Sequence, residues 1–533
     1  MADFIVVGAG SAGAVLAARL AEAGAEVTLI EAGAAAQQTA VRVPGLYYSL
    51  MDTELDWGFR TVPQVELNNR QIFLTRGRGL GGTSLMNAMV YMRGNRGDYD
   101  GWRDLGNPGW GFDDVLPLFR RSENNRSRAG SYHGHTGGLI VTDQPDRNPM
   151  TALFLAACAQ NQMRWNADVN GESQEGYGHF QMTADAKGRC HTDRAFLEPV
   201  KGLPKLTIVT NALVTRVIIA GGRALGVEYV RGSQGLRAMG DQVILCGGAL
   251  NSPQLLMLSG VGPAAQLSAQ GIRVVADLPG VGQNLQDHLQ VGYRCAVDQP
   301  LSQYGMTASE TAAATAAFLA DGSGPFASNL AEAGAFLRLG AEAYPDVQVH
   351  FEPDFGPDRT DGTAADRHGF GLWLNVSRPK SRGQITLRSA DPFDKPAVDP
   401  RYLSDRADLD LTIDAVLAAR EIAMAPAFQA VGVAEIWPGS AARSRAGIER
   451  FIRAMASTIW HPCGSCKMGV DAMAVVGPDL AVQGVAGLRV ADAAIMPTIV
   501  SANTNATCIM IGEKAAELAL GQGAAGPEGK MRI

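Results

Sequence analysis

The sequence predicts an α/β fold (α+β overall) that opens with a Rossmann-like dinucleotide-binding unit and continues into a region of mostly antiparallel strands. Three observations carry this prediction. Residues 4–33 read as strand, glycine turn, helix and strand; residues 242–260 repeat a strand, a glycine turn and a helix; and residues 291–448 contain alternating apolar segments. The chain of 533 residues is longer than one core usually requires, so we expect at least two domains.

Composition and charge narrow the possible function classes. Apolar residues make up 46% and charged residues 19% of the chain, and the net charge is −7, as in ordinary soluble enzymes. No block of basic residues provides an electrostatic basis for binding nucleic acid or an anionic membrane surface. No apolar run reaches the length of a membrane span, and the first residues lack the charged start of a signal peptide. The seven scattered cysteines fit a reducing compartment, so we expect a cytoplasmic protein.

Residues 4–33 contain the first site motif. A short β-branched strand is followed by Gly8, Gly10 and Gly13 in G-x-G-x-x-G spacing and then by a helical pattern. The first glycine of this motif permits a tight turn, the second lets a phosphate approach the backbone, and the third lets helix and strand pack closely. Glu31, at the end of the next strand, is placed to bind an adenosine ribose. We therefore predict a dinucleotide site, and the motif alone does not separate FAD from NAD.

Two further glycine turns follow along the chain. Residues 75–84 form a loop suited to close packing against a flat ring or a phosphate, although a flexible surface loop is the alternative. The apolar pattern of residues 85–90 then predicts a helix. The strand at residues 242–246 ends in two glycines, after which Ser252 is predicted to cap a short helix with Pro253 at its first position.

The stretches 77–98 and 248–262 resemble, in order, the two signatures of the glucose–methanol–choline oxidoreductase family, whose members are FAD enzymes that oxidise alcohols. The resemblance extends from residue 4 to about residue 520. It implies FAD rather than NAD, and a substrate domain whose antiparallel sheet covers the flavin. The implied FAD-binding domain comprises residues 1–149, 200–290 and 449–533, and it is interleaved with a substrate-binding domain of residues 150–199 and 291–448.

The resemblance also implies which residues surround the cofactor. They are Gly8, Gly10, Ser11, Gly13, Glu31, Ala32, Arg78, Gly82, Thr83, Asn87, Met89, Val214, Asp492, Ala493, Asn503 and Thr504. Asn87 lies near the position at which some family members attach FAD covalently through a histidine. Because asparagine cannot form that bond, we expect FAD to be held non-covalently.

The catalytic prediction rests on His461 and Asn503. Oxidation of an alcohol by hydride transfer requires a group of near-neutral pKa that takes the hydroxyl proton, and His461 matches the family's general base. Asn503 matches the position where the family has His or Asn, and its amide can orient the substrate oxygen. The alternatives are that His461 is a structural or surface histidine and that the asparagine only caps the helix beginning near Thr504.

Other residues near these motifs have weaker claims. Trp460 and His350 are candidate pocket residues, although Trp460 could equally be ordinary core packing. Cys463 and Cys466 have C-x-x-C spacing, but no second pair with ligand spacing exists, so we interpret both as structural and predict no metal site. His133 is predicted to lie in a glycine-rich surface segment.

We predict that the chain converts a primary alcohol to an aldehyde by hydride transfer to flavin N5, with O2 or a quinone-like compound as electron acceptor. The alternatives are a hydroxynitrile lyase with a redox-inert FAD and a flavin-binding protein without turnover. Choline would need a carboxylate or an aromatic cage for its ammonium group, and the sequence does not place one. The identity of the alcohol, the acceptor and the oligomeric state stay open.

Overall fold

The structure is a computed structural model that describes residues 1–145, 147–303, 305–355 and 367–522. Two large sheets organise this part of the chain. We call them the nucleotide sheet and the substrate sheet, and each has its own apolar core.

The nucleotide sheet has a parallel centre in which Ala2–Val7 and Val27–Ile30 are short, mostly buried strands rich in β-branched residues. Among the described residues its strands run in the order Leu206–Val209, Val27–Ile30, Ala2–Val7, Gln234–Leu245, Arg223–Arg231 and Ala212–Ala220, and Leu488–Val490 also pairs with Gln234–Leu245. The first four are parallel to one another, and the last two continue as an antiparallel meander. Buried strands with both faces covered have continuous apolar sequences. The parallel sheet, together with the helices of the chain, confirms the predicted mixed α/β fold.

The first glycine motif folds as predicted. Helix Ser11–Glu22 follows the first strand, and it packs against the C-terminal helix Asn505–Ala519. Gly8 has a φ of +98°, which favours glycine. A Cβ atom on Gly13 would lie 1.9 Å from the carbonyl oxygen of Gly8, so the close packing of helix and strand requires glycine there.

The substrate sheet is antiparallel. Its strands run in the order Ala434–Trp437, Leu289–Ala296, Gly369–Val376, Val347–Glu352, Ala333–Leu337 and Gly176–His179, with Ser457–Thr458 beside Leu289–Ala296. Strand Val347–Glu352 shows the two-residue period: Val347, Val349 and Phe351 enter the apolar core, whereas the residues between them face the other way. Helices Pro149–Gln160 and Arg406–Ala423 cover the apolar face.

The remaining elements connect or flank these sheets. The other helices are Thr39–Arg42, Arg96–Asp104, Phe112–Ser122, Ala264–Ala269, Ala308–Asp321, Pro426–Gln429 and Arg445–Met455, besides Gly248–Leu258 discussed below. Short 3₁₀ segments span Pro44–Leu50, Val65–Leu67, Pro325–Ala327, Ser440–Ala442 and Ala493–Ile495, and a π turn spans Asp193–Leu197. Small two-stranded pairs join Phe59–Arg60 to Phe73–Leu74, Val90–Tyr91 to Gln181–Met182, Glu123–Asn125 to Leu139–Val141, Ala184–Asp185 to Gly188–Arg189, Val261–Gly262 to Ala276–Asp277, and Gln384–Thr386 to Ala397–Asp399.

Three local predictions were wrong. Residues 85–90 do not form a helix, because the chain makes a 3₁₀ turn at Gly82–Leu85 and Met89 has a φ of +57°, outside helical space. Ser252 does not cap the next helix, which already begins at Gly248; its hydroxyl instead donates to Asp492. His133 is 1% exposed rather than on the surface, because Glu123 and Asp168 both bind its ring.

The predicted domain boundaries stay a prediction, although the two cores divide the chain in a similar way. No helix in the described ranges is long and apolar enough to cross a membrane. Cys463 and Cys466 are buried with free thiols, and the described residues contain no cluster of three or more His, Cys, Asp or Glu side chains able to hold a metal ion.

Candidate active site

A cavity of about 660 Å³ runs from the glycine turn of the first strand to the polar face of the substrate sheet. It brings together nearly all of the predicted site residues. The lining includes Gly8, Gly10, Ser11, Glu31, Ala32, Arg78, Gly82, Thr83, Asn87, Met89, Val214, His350, Trp460, His461, Asp492, Ala493, Asn503 and Thr504. Gly13 lies behind the cavity wall and acts through packing.

The nucleotide end of the cavity has the form of a dinucleotide cradle. Helix Ser11–Glu22 begins at Gly10 without a side-chain cap, so its N-terminal N–H groups are available to an anion. A Cβ atom added to Gly10 would have the Cα of Gly82 as its nearest neighbour, at 3.9 Å. A Cβ atom added to Gly82 would lie only 2.6 Å from the Cα of Gly10. The space beside Gly10 is therefore open at the helix terminus, and these residues fit a pyrophosphate.

Glu31 organises this end beyond the role that the sequence predicts. Its carboxylate accepts backbone N–H groups from Ala9 at 2.8 Å, Gly33 at 2.9 Å and Gly79 at 3.1 Å. Burial raises the pKa of Glu31, and the three N–H donors counteract that rise. One side chain thus ties the two glycine loops together, and its contact with a ribose stays a prediction.

Asp492 plays a similar part on the opposite side of the cavity. It accepts the N–H of Gly248 at 2.8 Å, the hydroxyl of Ser252 at 2.6 Å and the N–H of Ala494 at 2.7 Å. These bonds join the start of helix Gly248–Leu258 to the C-terminal segment that lines the cavity.

The catalytic end brings His461 and Asn503 together. The Nδ2 atom of Asn503 lies 3.4 Å from Nε2 of His461. On its other side, Oδ1 of Asn503 accepts from Nε2 of Gln348 at 3.1 Å and lies 3.4 Å from Nε2 of His350. The substrate sheet therefore fixes which way the amide points, with its N–H₂ group towards His461.

The peptide unit that joins Trp460 to His461 is held at both of its polar groups by charged side chains. Trp460 has a φ of +63°, a conformation that side chains larger than glycine rarely adopt. Arg76 holds its carbonyl through an Nη2 contact of 2.5 Å, and Asp287 accepts the N–H of His461 at 2.7 Å. The Trp460 indole lines the cavity and donates to the carbonyl of Phe73 at 3.2 Å.

His288 is a site residue that the sequence reasoning missed. Its Nε2 lies 2.9 Å from the carbonyl oxygen of Ser377, and its Nδ1 lies 2.9 Å from Nδ1 of His461. A carbonyl can only accept, so Nε2 of His288 carries a proton and Nδ1 of the neutral ring is an acceptor. Nδ1 of His461 must then donate, which leaves an unprotonated Nε2 facing the cavity.

Burial also favours the neutral form of these histidines. It lowers the pKa of His461 well below the usual range, with His288, His350 and Arg76 acting in the same direction. Burial likewise lowers the pKa of His288 to about 4 and that of His350 to about 4. Burial thus favours an uncharged His461 at neutral pH, with the Nε2 lone pair in the cavity beside Nδ2 of Asn503.

The chain is similar to known proteins over nearly its whole length. Two family models, both described as GMC oxidoreductase, match residues 2–290 and 379–512. An alcohol dehydrogenase [acceptor] of Pseudomonas putida is 41% identical over 529 residues, covering 97% of this chain and 95% of that protein. An oxygen-dependent choline dehydrogenase of Klebsiella pneumoniae subsp. pneumoniae is 41% identical over 532 residues, covering 98% and 96%.

Solved structures are similar over the same length. Pyridoxine 4-oxidase from Mesorbium loti has a TM-score of 0.89 at 30% identity, covering 97% of this chain and 99% of that chain. A formate oxidase from Aspergillus oryzae, in a study of FAD modification, has a TM-score of 0.92 at 26% identity, covering 98% of each chain.

Proposed function

Because this chain belongs to the GMC oxidoreductase family and acts on alcohols with FAD as cofactor, we propose that it oxidises a primary alcohol to the aldehyde with O2 or a quinone-like compound as acceptor. The observation that supports this most directly is the unprotonated Nε2 of His461 beside the amide N–H₂ of Asn503. FAD, when bound, supplies at N5 the acceptor for the hydride from the carbinol carbon.

The residues of the chain have separate tasks in this reaction. A substrate hydroxyl donates its hydrogen bond to Nε2 of His461 and receives one from Nδ2 of Asn503. His461 takes the hydroxyl proton as the carbon–hydrogen bond breaks, so the developing charge on oxygen is never left uncompensated. The interaction of Asn503 with Gln348 and the anchoring of His461 by Asp287 hold both groups in place before substrate arrives.

The cofactor is held without a covalent bond in this proposal. Asn87 lines the cavity, near the position at which some family members attach FAD through a histidine. Its Oδ1 accepts from Met89 N at 3.0 Å and from Nη1 of Arg189 at 2.9 Å. The discontinuous FAD-binding and substrate-binding domains, with the boundaries given above, are part of the same proposal.

The test is an anaerobic panel of alcohols read at the flavin absorbance, then repeated in air with detection of peroxide. A primary alcohol should bleach the oxidised flavin, and the aldehyde should accumulate in equal amount. Peroxide formation in air would assign O2 as acceptor, and turnover only with an added quinone would assign the dehydrogenase reaction. Cleavage of a hydroxynitrile without any bleaching by alcohols would instead identify a lyase.

A further inference from the structure

Glu352 is a buried carboxylate in the wall of the catalytic cavity that the mechanism above does not use. It lies on the same strand face as Gln348 and His350, because the residues alternate along Val347–Glu352. Its two oxygens lie 3.1 and 3.2 Å from the hydroxyl of Tyr48, and Oε2 accepts from Nε1 of Trp373 at 2.8 Å. Tyr48 and Trp373 also line the cavity.

The Glu352 carboxylate lines the cavity and has more acceptor positions than the donors among the described residues fill. An ionised carboxylate offers about four acceptor sites. Among the described residues two side chains donate to it: the Tyr48 hydroxyl, shared between Oε1 at 3.1 Å and Oε2 at 3.2 Å, and Nε1 of Trp373, at 2.8 Å from Oε2. Burial raises the pKa of Glu352 to about 7, with Asp354 acting in the same direction and Tyr48, Trp373 and Arg294 opposing it. A donor that carries positive charge would therefore both fill the free acceptor position and favour ionisation.

We propose that Glu352 is the specificity-determining group for an alcohol that carries an N–H donor, such as a protonated primary or secondary amine, at the end remote from its hydroxyl. The inference rests on the proposed function for the hydroxyl end. It adds the substrate class, which neither the family nor the catalytic pair defines.

The position of Glu352 suits such a substrate. Residues two apart on a strand are separated by about 7 Å, so Glu352 lies one such step from His350. Nε2 of His350 in turn lies 3.4 Å from Oδ1 of Asn503. A substrate with one ring or a short chain between its two polar ends can therefore reach both the catalytic pair and the carboxylate.

The aromatic groups around Glu352 favour an N–H donor over a quaternary ammonium. Tyr48 and Trp373 point their polar O–H and N–H edges at the carboxylate rather than their ring faces. The Trp373 ring is already covered by the guanidinium of Arg294, 5.0 Å from the ring centroid, and Arg294 also lies 4.1 Å from the centroid of Trp437. The site thus resembles a hydrogen-bond acceptor more than a cage of open aromatic faces.

The first arm of the test compares kcat/KM for three alcohols on the holoenzyme: para-(aminomethyl)benzyl, para-(trimethylammoniomethyl)benzyl and para-ethylbenzyl alcohol. The wild type should prefer the aminomethyl compound over both others by about 10- to 100-fold, the size of a charge-assisted hydrogen bond in a buried site. Glu352→Gln keeps the shape and an acceptor oxygen for Tyr48 and Trp373, and it should abolish that preference.

The control variant Glu342→Gln changes an exposed residue on the same hairpin and should retain the preference. If Glu352 were only a structural anchor, all three substrates would change equally and the ratio would stay constant, which overturns the proposal.

The second arm measures binding without turnover. The dissociation constant of para-methylbenzylamine, which lacks the hydroxyl, is measured by calorimetry on anaerobic holoenzyme. It should rise by about tenfold or more in Glu352→Gln and stay unchanged in Glu342→Gln. Equal binding to wild type and Glu352→Gln refutes the subsite even if alcohols are oxidised. Selective binding combined with no flavin bleaching by any alcohol would refute the proposed oxidation and leave the subsite standing.

Discussion

The Nδ1 atoms of His461 and His288 lie 2.9 Å apart, and the far nitrogen of His288 meets the carbonyl of Ser377. Two neutral imidazoles can form this contact only if one donates and the other accepts. The carbonyl decides which ring donates, because it has no proton to give. A backbone group thus sets the tautomer of the proposed base through an intervening histidine, and this relationship makes His288 a positioning residue with a measurable effect.

Replacing His288 with leucine should remove the acceptor for Nδ1 of His461 and allow the wrong tautomer. We expect flavin reduction by alcohol to slow about 10- to 100-fold at equal FAD content. The pH profile of kcat/KM should change as well. We expect its acid limb to lie below the ordinary histidine pKa in the wild type, because burial lowers the pKa of His461, and to move to higher pH in the variant, because the charge of a protonated His288 disfavours protonation of His461. A variant with the wild-type rate and profile would show that His288 has no influence on the base.

His461→Ala should lose the proton acceptor and slow flavin reduction by roughly 10²–10⁴-fold. Asn503→Ala should cause a smaller loss, because it removes one hydrogen bond and leaves the base in place. Stopped-flow reduction at matched FAD occupancy measures both. With an alcohol deuterated on the reacting carbon, wild-type reduction should slow several-fold. Wild-type reduction by His461→Ala would mean that the base lies elsewhere, and His350 would be the next residue to replace.

Two glycines of the first motif should respond in different ways to a side chain. A Cβ on Gly13 would lie 1.9 Å from the carbonyl oxygen of Gly8, so Gly13→Ala should destabilise the protein by about 3 kcal/mol or prevent folding. Gly10 opens onto the cavity, so Gly10→Val should fold and lose FAD because the side chain fills the cradle. Melting temperature and flavin content of the two purified variants distinguish these outcomes. Retention of FAD by Gly10→Val would contradict the assigned pyrophosphate position.

Acid precipitation of the holoenzyme should release intact FAD into the supernatant, because Asn87 cannot bond covalently to the ring. The absorbance of supernatant and pellet, read after centrifugation, measures the released fraction. A pellet that stays yellow after washing would indicate that FAD is bound covalently to another side chain, contrary to the prediction.

His133 should make the stability of the protein depend on pH. It is bound by Asp168 at 2.8 Å and by Glu123 at 3.0 Å, and these carboxylates raise its pKa to about 8 despite burial. A raised histidine pKa stabilises the fold fully below about pH 6.5, and that contribution is lost as pH rises through about 8. His133→Gln should therefore lower the melting temperature more at pH 6 than at pH 9. The loss in free energy of unfolding should differ between the two pH values by up to about 2 kcal/mol. The exposed neighbour His135→Gln is the control, and an equal effect of His133→Gln at both pH values would exclude a charged His133.

The glycine turn of the site was predicted from local backbone constraints, whereas His461 and Asn503 were predicted from the family resemblance. The spacing of Gly8, Gly10 and Gly13 predicts the tight turn between the first strand and the first helix. His288 was not predictable in the same way, because its contact with His461 joins residues 173 positions apart. That contact arises only when Ser457–Thr458 pairs with strand Leu289–Ala296.

The other missed residues follow the same physical rule. Alternation along Val347–Glu352 predicts two faces but not which face meets the cavity, so the sequence alone does not identify Glu352 as a cavity residue. The predicted helix at residues 85–90 failed because the side chain of Asn87 accepts the N–H of Met89 and turns the chain. Local side-chain bonds of this kind compete with helix formation, and an apolar pattern does not reveal them.

The order of strands in the nucleotide sheet has a consequence for how the protein is made. Ala2–Val7 leaves the ribosome well before its neighbour Gln234–Leu245, which emerges more than 200 residues later, and Leu488–Val490 follows later still. At about 5–20 residues per second, the first strand waits for that neighbour on the order of ten seconds or more. During this time the nascent chain exposes apolar strand edges, so recombinant yield should respond strongly to chaperone supply and growth temperature. Premature termination anywhere before residue 490 would leave the cradle without one of its walls, so a partial chain cannot accumulate as a functional flavoprotein.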